Sequence, residues 1–202
     1  MTGWYGLVVW VVGGSYAAHV LHTCFASLRR WWVGVPEMAA HFSPKGGCTA
    51  AIVAELHAAR HEILVQAYSF SCPDIAKALV AAAGRGVRVA VLLDRSNEQE
   101  TYSEIGDLTG RHIDVKIDAN HAIAHNKVMV IDSRTVLTGS FNFTRQAEHE
   151  NAENLLVLRN HRELAAQYKA NFLAHHGHSQ PPGNVQAARV TVHDRGHART
   201  HG

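Results

Sequence analysis

The sequence predicts an α/β fold in one domain, a mixed β-sheet sandwiched by helices. Three observations carry this. Strand-like apolar runs alternate with helix-period segments through residues 42–176. The run Val87–Leu93 is apolar except for Arg88, as in a parallel strand buried on both faces. The length of 202 residues suits one domain with a proper core and leaves little for a second.

Taken in order, residues 1–33 form an apolar leader, with its densest run between Trp4 and Leu21. Small residues Ser15 and Ala17 after a glycine pair fit a secretory signal. Arg29 and Arg30 with Trp31 and Trp32 fit the flank of a membrane anchor. A third reading is an upstream extension from a misplaced start codon on a cytosolic protein, and the pattern favours export or membrane attachment through residues 4–21 over it. Residues 34–41 read as a linker, and Phe42-Ser43 opens the domain.

Thr49–Arg60 carries Ile52, Val53, Leu56 and Ala59 at helical spacing, and Ile63–Phe70 is β-branched and aromatic, a strand. Pro73 suits a first helical position. The helix it opens shows Ile75, Ala78, Leu79 and Ala82 on one face and should stop near Gly84 or Gly86. Ser96–Leu108 is polar, a helix or lid-like loop. In the following segment, Ile113, Val115 and Ile117 alternate with polar residues as in a half-exposed strand. Lys127–Ile131 and Thr135–Ser140 are strands around a turn at Asp132-Ser133-Arg134, and Asn154–Arg159 is another strand. Glu163–Ala174 is a closing helix with Leu164, Tyr168 and Leu173 as candidate core residues. Residues 177–202, with Pro181-Pro182-Gly183 and scattered His and Arg, read as a disordered tail.

Composition narrows the partners. Nineteen Lys plus Arg against 17 Asp plus Glu leave no global basic field, so a nucleic-acid partner would have to meet a local patch. Cys24, Cys48 and Cys72 lack metal-ligand spacing. Cys48 and Cys72 read as two buried thiols rather than a disulfide. No Gly-rich nucleotide loop is present, and no cofactor is expected.

The chemistry concentrates between His125 and Asn154. His125 and Lys127 stand two apart at the mouth of a strand, so they share one face, whereas Asp132 has the opposite parity. Ser140 and Asn142 repeat the two-residue spacing on the next strand or its end, and Glu153-Asn154 follows. A nucleophilic imidazole, a fixed cation and neutral donors converging in this way suit a phosphoryl group.

His-x-Lys-x4-Asp followed by Gly139-Ser140-x-Asn142 resembles the signature of the phospholipase D superfamily. The first part alone arises by chance in roughly one chain in a hundred of this size, and the second makes coincidence remote. From about Phe42 to Phe172, including Phe42-Ser43-Pro44 and Gln66-Ala67-Tyr68-Ser69-Phe70, the chain is similar to the small single-motif bacterial endonucleases of that superfamily.

The resemblance implies a phospholipase D/nuclease-like fold and a metal-independent phosphodiesterase, most simply an endonuclease acting on DNA or RNA. In its mechanism His125 attacks phosphorus to form a phosphohistidine, Lys127 clamps a non-bridging oxygen, and Ser140 and Asn142 hold the phosphate. Glu153 corresponds to the carboxylate that orients the catalytic histidine. Asp132 belongs to the signature, and the resemblance counts it among the catalytic residues, though its parity makes it a support for the turn.

The mechanism needs a second histidine as the acid. One copy of the motif then implies a homodimer with a shared site. Two other readings are a phospholipase acting on phosphatidyl head groups and a non-catalytic nucleic-acid- or lipid-binding protein on the same fold. The second is expected where the His or Lys is lost, and both are present. His112 and His121 read as surface residues because no carboxylate or cysteine completes a ligand set, so no metal site is expected. Arg145, just past Asn142, is a candidate substrate contact.

Overall fold

The computed structural model describes residues 34–98 and 104–183. Within them the chain runs β1 (Glu37–Phe42), α1 (Cys48–Ala58), β2 (Glu62–Ala67), α2 (Pro73–Gly84) and β3 (Arg88–Asp94). A 3-10 turn (Arg95–Glu98), α3 (Ile105–Leu108), β4 (Ile113–Asp118), β5 (Lys127–Ile131) and β6 (Thr135–Gly139) follow, and α4 (Arg145–His149), β7 (Asn154–Arg159) and α5 (Arg162–His178) close it. The seven strands form one sheet in the order β1-β7-β6-β5-β2-β3-β4. β2, β3 and β4 run parallel, and β5, β6, β7 and β1 pair antiparallel.

Strand parity builds the two layers of the core. On β2, Ile63 and Val65 face the cluster that contains Ile52 and Leu56 of α1 and Ile75 and Leu79 of α2. Leu64 faces the opposite cluster, with Val128, Val130 and Phe172 of α5. Strand β2 is therefore buried at every position, as its central place predicts. Each fully buried Leu or Ile contributes about 1.5–3 kcal/mol of apolar transfer. The faces expected for α1 and α2 are buried except at Val53, which is only partly buried: Ile52, Leu56, Ala59, Ile75, Ala78, Leu79 and Ala82 are each at most 3 % exposed.

Four expectations are corrected. The supposed linker is mostly strand, because Glu37–His41 pairs along β7 from Arg159 to Leu155. Its polar edge and exposed alternate residues hid the strand pattern. The tail begins later than residue 177. Gly177 and His178 complete α5, and Gln180 bridges back to Ile117 in both directions. Leu173 is exposed, because the buried stripe of α5 runs through Ala165 and Phe172 and Leu173 falls one residue off it. Finally, Asp118 at the end of the half-exposed strand β4 is fully buried.

Cys48 and Cys72 are buried free thiols, and burial with the nearby Glu148 carboxylate pushes Cys48 up to about 11. Cys24, the leader and the rest of the tail lie outside the described residues. Among the described residues no helix is long and apolar enough to cross a membrane.

Candidate active site

The N-terminal end of β5 delivers His125 and Lys127. Ala67 of β2 pairs with Lys127, and the Tyr68 N–H continues the ladder by donating to the Asn126 carbonyl at 2.9 Å. That register lays the Tyr68 ring against both residues. Its centroid is 4.5 Å from the His125 ring, tilted by 55°, and the Lys127 Nζ sits 4.8 Å above it. Tyr68 is itself held from behind, where the buried Asn97 donates to the Tyr68 carbonyl at 2.6 Å and to the Asp94 carbonyl at 3.0 Å. Asp94 in turn accepts the Ala124 N–H at 2.7 Å and so fixes the approach to His125.

Across the sheet, Phe141 and Phe143 are fully buried. Alternation leaves Ser140 and Asn142 on the other side, lining the cleft. Gly139 lets the strands close here, since a Cβ on it would lie 2.2 Å from the Asn154 carbonyl oxygen. The Ser140 hydroxyl oxygen accepts the Asn154 N–H at 3.0 Å. Ser43, just after β1, pins the neighbouring Glu153: its N–H donates to the Glu153 carbonyl at 3.0 Å and its hydroxyl oxygen accepts the Glu153 N–H at 3.1 Å.

These elements enclose an open cleft of about 560 Å³ lined by His125, Lys127, Gly139, Ser140, Asn142, Glu153 and Asn154. Five of the six residues expected at the site converge there. Lys127 is 7 % exposed, and its ammonium donates to the His125 carbonyl at 3.0 Å. Burial lowers its pKa below the usual lysine range, partly opposed by the Glu153 carboxylate, which favours the charged form. The Asn142 Oδ1 is buried with no hydrogen-bond partner among the described residues. Such an orphan inside a cleft marks a position for a ligand.

The sixth residue, Asp132, lies at the other end of β5, away from the cleft. Its carboxylate accepts the N–H groups of Arg60 at 3.0 Å, His61 at 2.7 Å and Glu62 at 3.0 Å. Burial pushes its pKa up, but these three amides outweigh burial and hold it below the usual carboxylate range. The Asp132 carboxylate is thus engaged with the scaffold, on three backbone amides outside the cleft.

The remaining candidate residues lie in different surroundings. The Glu153 carboxylate accepts from Asn151 Nδ2 at 3.3 Å, and it makes no hydrogen bond with His125 among the described residues. Arg145 lines a different cavity, with Glu148 and Asp74. His112 is exposed, as expected. His121 faces Asp118 rather than the cleft, with its Nδ1 2.9 Å from the Asp118 Oδ2. Ser43, Tyr68 and Asn154 stand in the sequence only as members of motifs with no role assigned, and Asn97 carries no sequence signal at all. Ser43, Tyr68 and Asn154 act across strand pairings, and Asn97 acts from the 3-10 turn after β3, neither of which local patterning reveals.

Residues 52–176 match the family model described as cardiolipin synthase, PLD-like domain. A phospholipase D of Rickettsia conorii is 46% identical over 132 residues, covering 65% of this chain and 66% of that protein. A mitochondrial cardiolipin hydrolase of Xenopus tropicalis is 37% identical over 105 residues, covering 52% of this chain and 50% of that protein. The chain thus spans just under two thirds of the one relative and about half of the other. Among solved structures, Nuc of Salmonella typhimurium, a phospholipase D family member, superposes with a TM-score of 0.69 at 35% identity, covering 72% of this chain and 97% of Nuc.

Proposed function

Because the chain belongs to the phospholipase D superfamily, we propose that it is a phosphodiester hydrolase whose substrate is a nucleic acid. The observation that carries this reading is the juxtaposition of His125 and the buried Lys127 in one polar cleft with Ser140, Asn142 and Glu153. His125 supplies the nitrogen that attacks phosphorus and carries the phosphoryl group until water removes it. Lys127 neutralises a non-bridging oxygen. Low water access around its ammonium strengthens that interaction, and Glu153 favours the charged form against the effect of burial. The Asn142 amide, whose Oδ1 has no partner among the described residues, offers its N–H donors to a second oxygen when turned about its last torsion. One carboxylate lines the cleft and it faces a lysine, whereas metal-dependent phosphodiesterases gather several carboxylates around their ions.

The attack needs a separate acid to protonate the leaving oxygen. A second copy of the chain, bringing its own His125 to the open cleft across a two-fold axis, supplies it. Met38, Phe42 and Leu156 are 73 %, 64 % and 39 % exposed on the adjacent β1–β7 edge, apolar surface that such a partner would cover. Export or membrane attachment through residues 4–21 remains part of this reading on the strength of the leader pattern.

A phospholipid substrate is the second reading. It is favoured by the Rickettsia relative, a phospholipase D, and the Xenopus relative, a mitochondrial cardiolipin hydrolase, and both substrate classes present the same phosphodiester. The test assays purified protein and His125→Ala on plasmid DNA, single-stranded DNA, and vesicles of phosphatidylcholine or cardiolipin, with and without excess EDTA. The expected result is DNA cleavage that is lost in His125→Ala and survives chelation. Vesicle hydrolysis with DNA left intact would replace the nucleic-acid reading by the lipid one. Loss of turnover on chelation, restored by Mg²⁺, would overturn the metal-independent mechanism, and no hydrolysis of any of these substrates would leave a binding protein on this fold.

A further inference from the structure

Outside the cleft, one cluster of side chains has no role in the chemistry above. Asp118 ends β4, His121 follows on the loop that leads to His125, and His175 and His178 stand on the last turn of α5. One ligand atom from each of these four residues lies within 4.8 Å of all the others. We propose that they form a structural Zn²⁺ site that fastens the end of α5 to the loop carrying the catalytic histidine.

The geometry is close to that of a tetrahedral site. With Zn–N and Zn–O bonds of about 2.0–2.1 Å, neighbouring ligand atoms stand about 3.3 Å apart. The Asp118 Oδ2 is 2.9 Å from the His121 Nδ1, 3.1 Å from the His175 Nδ1 and 3.6 Å from the His178 Nε2. Three of the six edges therefore bracket the required length. Closing the other three takes a small movement of imidazoles that are 44%, 19% and 34% exposed, and that exposure also gives the ion its way in.

The donor set selects the metal. Three imidazole nitrogens and one carboxylate oxygen suit Zn²⁺, and Mg²⁺ or Ca²⁺ would ask for more oxygens. Four protein ligands leave no open position, which fits a structural role and not a catalytic one. The surroundings hold the ligands in place. The Asp118 Oδ1 accepts the Asn120 N–H at 3.1 Å, and the Asn171 amide stands 3.4 Å from the His175 Nε2. The helix C-terminus adds negative potential where a cation would sit.

A hydrogen-bonded cluster alone accounts for two of the histidines and not for the third. The His178 Nε2 is buried with no hydrogen-bond partner among the described residues, although a carboxylate oxygen lies 3.6 Å away. His121 and His175 meanwhile stack with centroids 4.6 Å apart at 18°. A divalent ion gives all three nitrogens one partner. Local spacing could not show this: Asp118 and His121 form one pair, His175 and His178 another, and only the fold brings them together.

The test uses the full chain without a histidine tag. It is loaded with Zn²⁺ or Co²⁺, dialysed, and compared with His175→Ala and His178→Gln. The wild type should retain one zinc per chain more than either variant. Its Co²⁺ form should show the intense visible bands of four-coordinate cobalt, absent from both variants. Zinc at about one hundred times Kd should raise the wild-type Tm by about 5–10 °C and leave the variants' values in place. His178→Gln removes only the 3.6 Å approach to Asp118 and the ring contacts with His121 and His175, so its Tm in chelator should stay within a few degrees of the wild type, which separates loss of metal from loss of fold. Equal zinc retention in all three proteins would overturn the site by placing the ion on other histidines. Absence of bound zinc, or full affinity in His178→Gln, would leave Asp118 and its histidines as a hydrogen-bonded cluster only.

Discussion

The two ends of β5 carry the two halves of one continuous sequence motif, and their physical states are opposite. At the start of the strand, Lys127 is buried with the His125 carbonyl and the Tyr68 ring as partners, beside an Asn142 oxygen that has none. At its end, the Asp132 carboxylate is saturated by three backbone amides. The first end keeps polar groups available to a ligand, at a cost in stability. The second spends its charge on joining the β5–β6 turn to the start of β2. A motif read as one unit from sequence is thus a reactive half and a structural half, distinguished by which polar groups are satisfied.

The most severe way to break this comparison is to remove the nucleophile. His125→Ala should lower kcat by at least about 10³-fold with little change in Tm, because the residue lines an open cleft. Acid-labile phosphoryl label trapped on the wild type should be missing from the variant. If two copies share one site, random co-assembly of equal amounts of wild type and His125→Ala should leave about one quarter of full activity. Independent sites would leave about one half. Label that survives the substitution would move the nucleophile elsewhere, and a linear response to the wild-type fraction would remove the shared site.

At the other end the effect should appear in stability. Asp132→Ala deletes three charge-assisted hydrogen bonds and places alanine at a φ of 52°. The expected loss is about 2–4 kcal/mol, with kcat per folded molecule unchanged. Asp132→Asn, which tolerates that φ and keeps an acceptor, should lose less. The pH dependence has a definite sign. The folded pKa is depressed, so this contribution is fully present above the unfolded value of about 3.9 and is lost as pH falls through the folded one. Acid unfolding of Asp132→Ala should accordingly be less steep than that of the wild type. A kcat collapse at wild-type stability would place Asp132 at the chemistry after all.

The comparison also shows what sequence can carry. Period-two spacing put His125 with Lys127 and Ser140 with Asn142, and it turned Asp132 away, because all of these are local facts about strands. The helical stripes of α1 and α2 were legible for the same reason. Strand β1 was not, since an edge strand buries few of its residues, and its burial pattern alternates only weakly. The partners of Glu153 were not legible either. Ser43, which fixes its backbone, lies 110 residues away and meets it only through the β1–β7 register.

Tyr68 is the sharpest instance, because it belongs to β2's end yet acts on residues delivered by β5. Its ring touches the His125 imidazole and carries the Lys127 ammonium over its face at 4.8 Å. A desolvated cation over an aromatic face gains about 1–2 kcal/mol, which is the charged state the phosphate clamp needs. Tyr68→Leu should therefore cost roughly 5–30-fold in kcat/KM. The hydroxyl contributes nothing to this contact, so Tyr68→Phe should stay within about twofold of the wild type. The leucine variant should keep its Tm within a few degrees, because Asn97 holds the Tyr68 backbone carbonyl and not its ring. If Phe and Leu lose activity equally, the phenolic oxygen is the working atom and the ring contact is incidental. If neither changes kcat/KM, Lys127 is held by His125 and Glu153 alone, and the reactive end of β5 is smaller than its packing indicates.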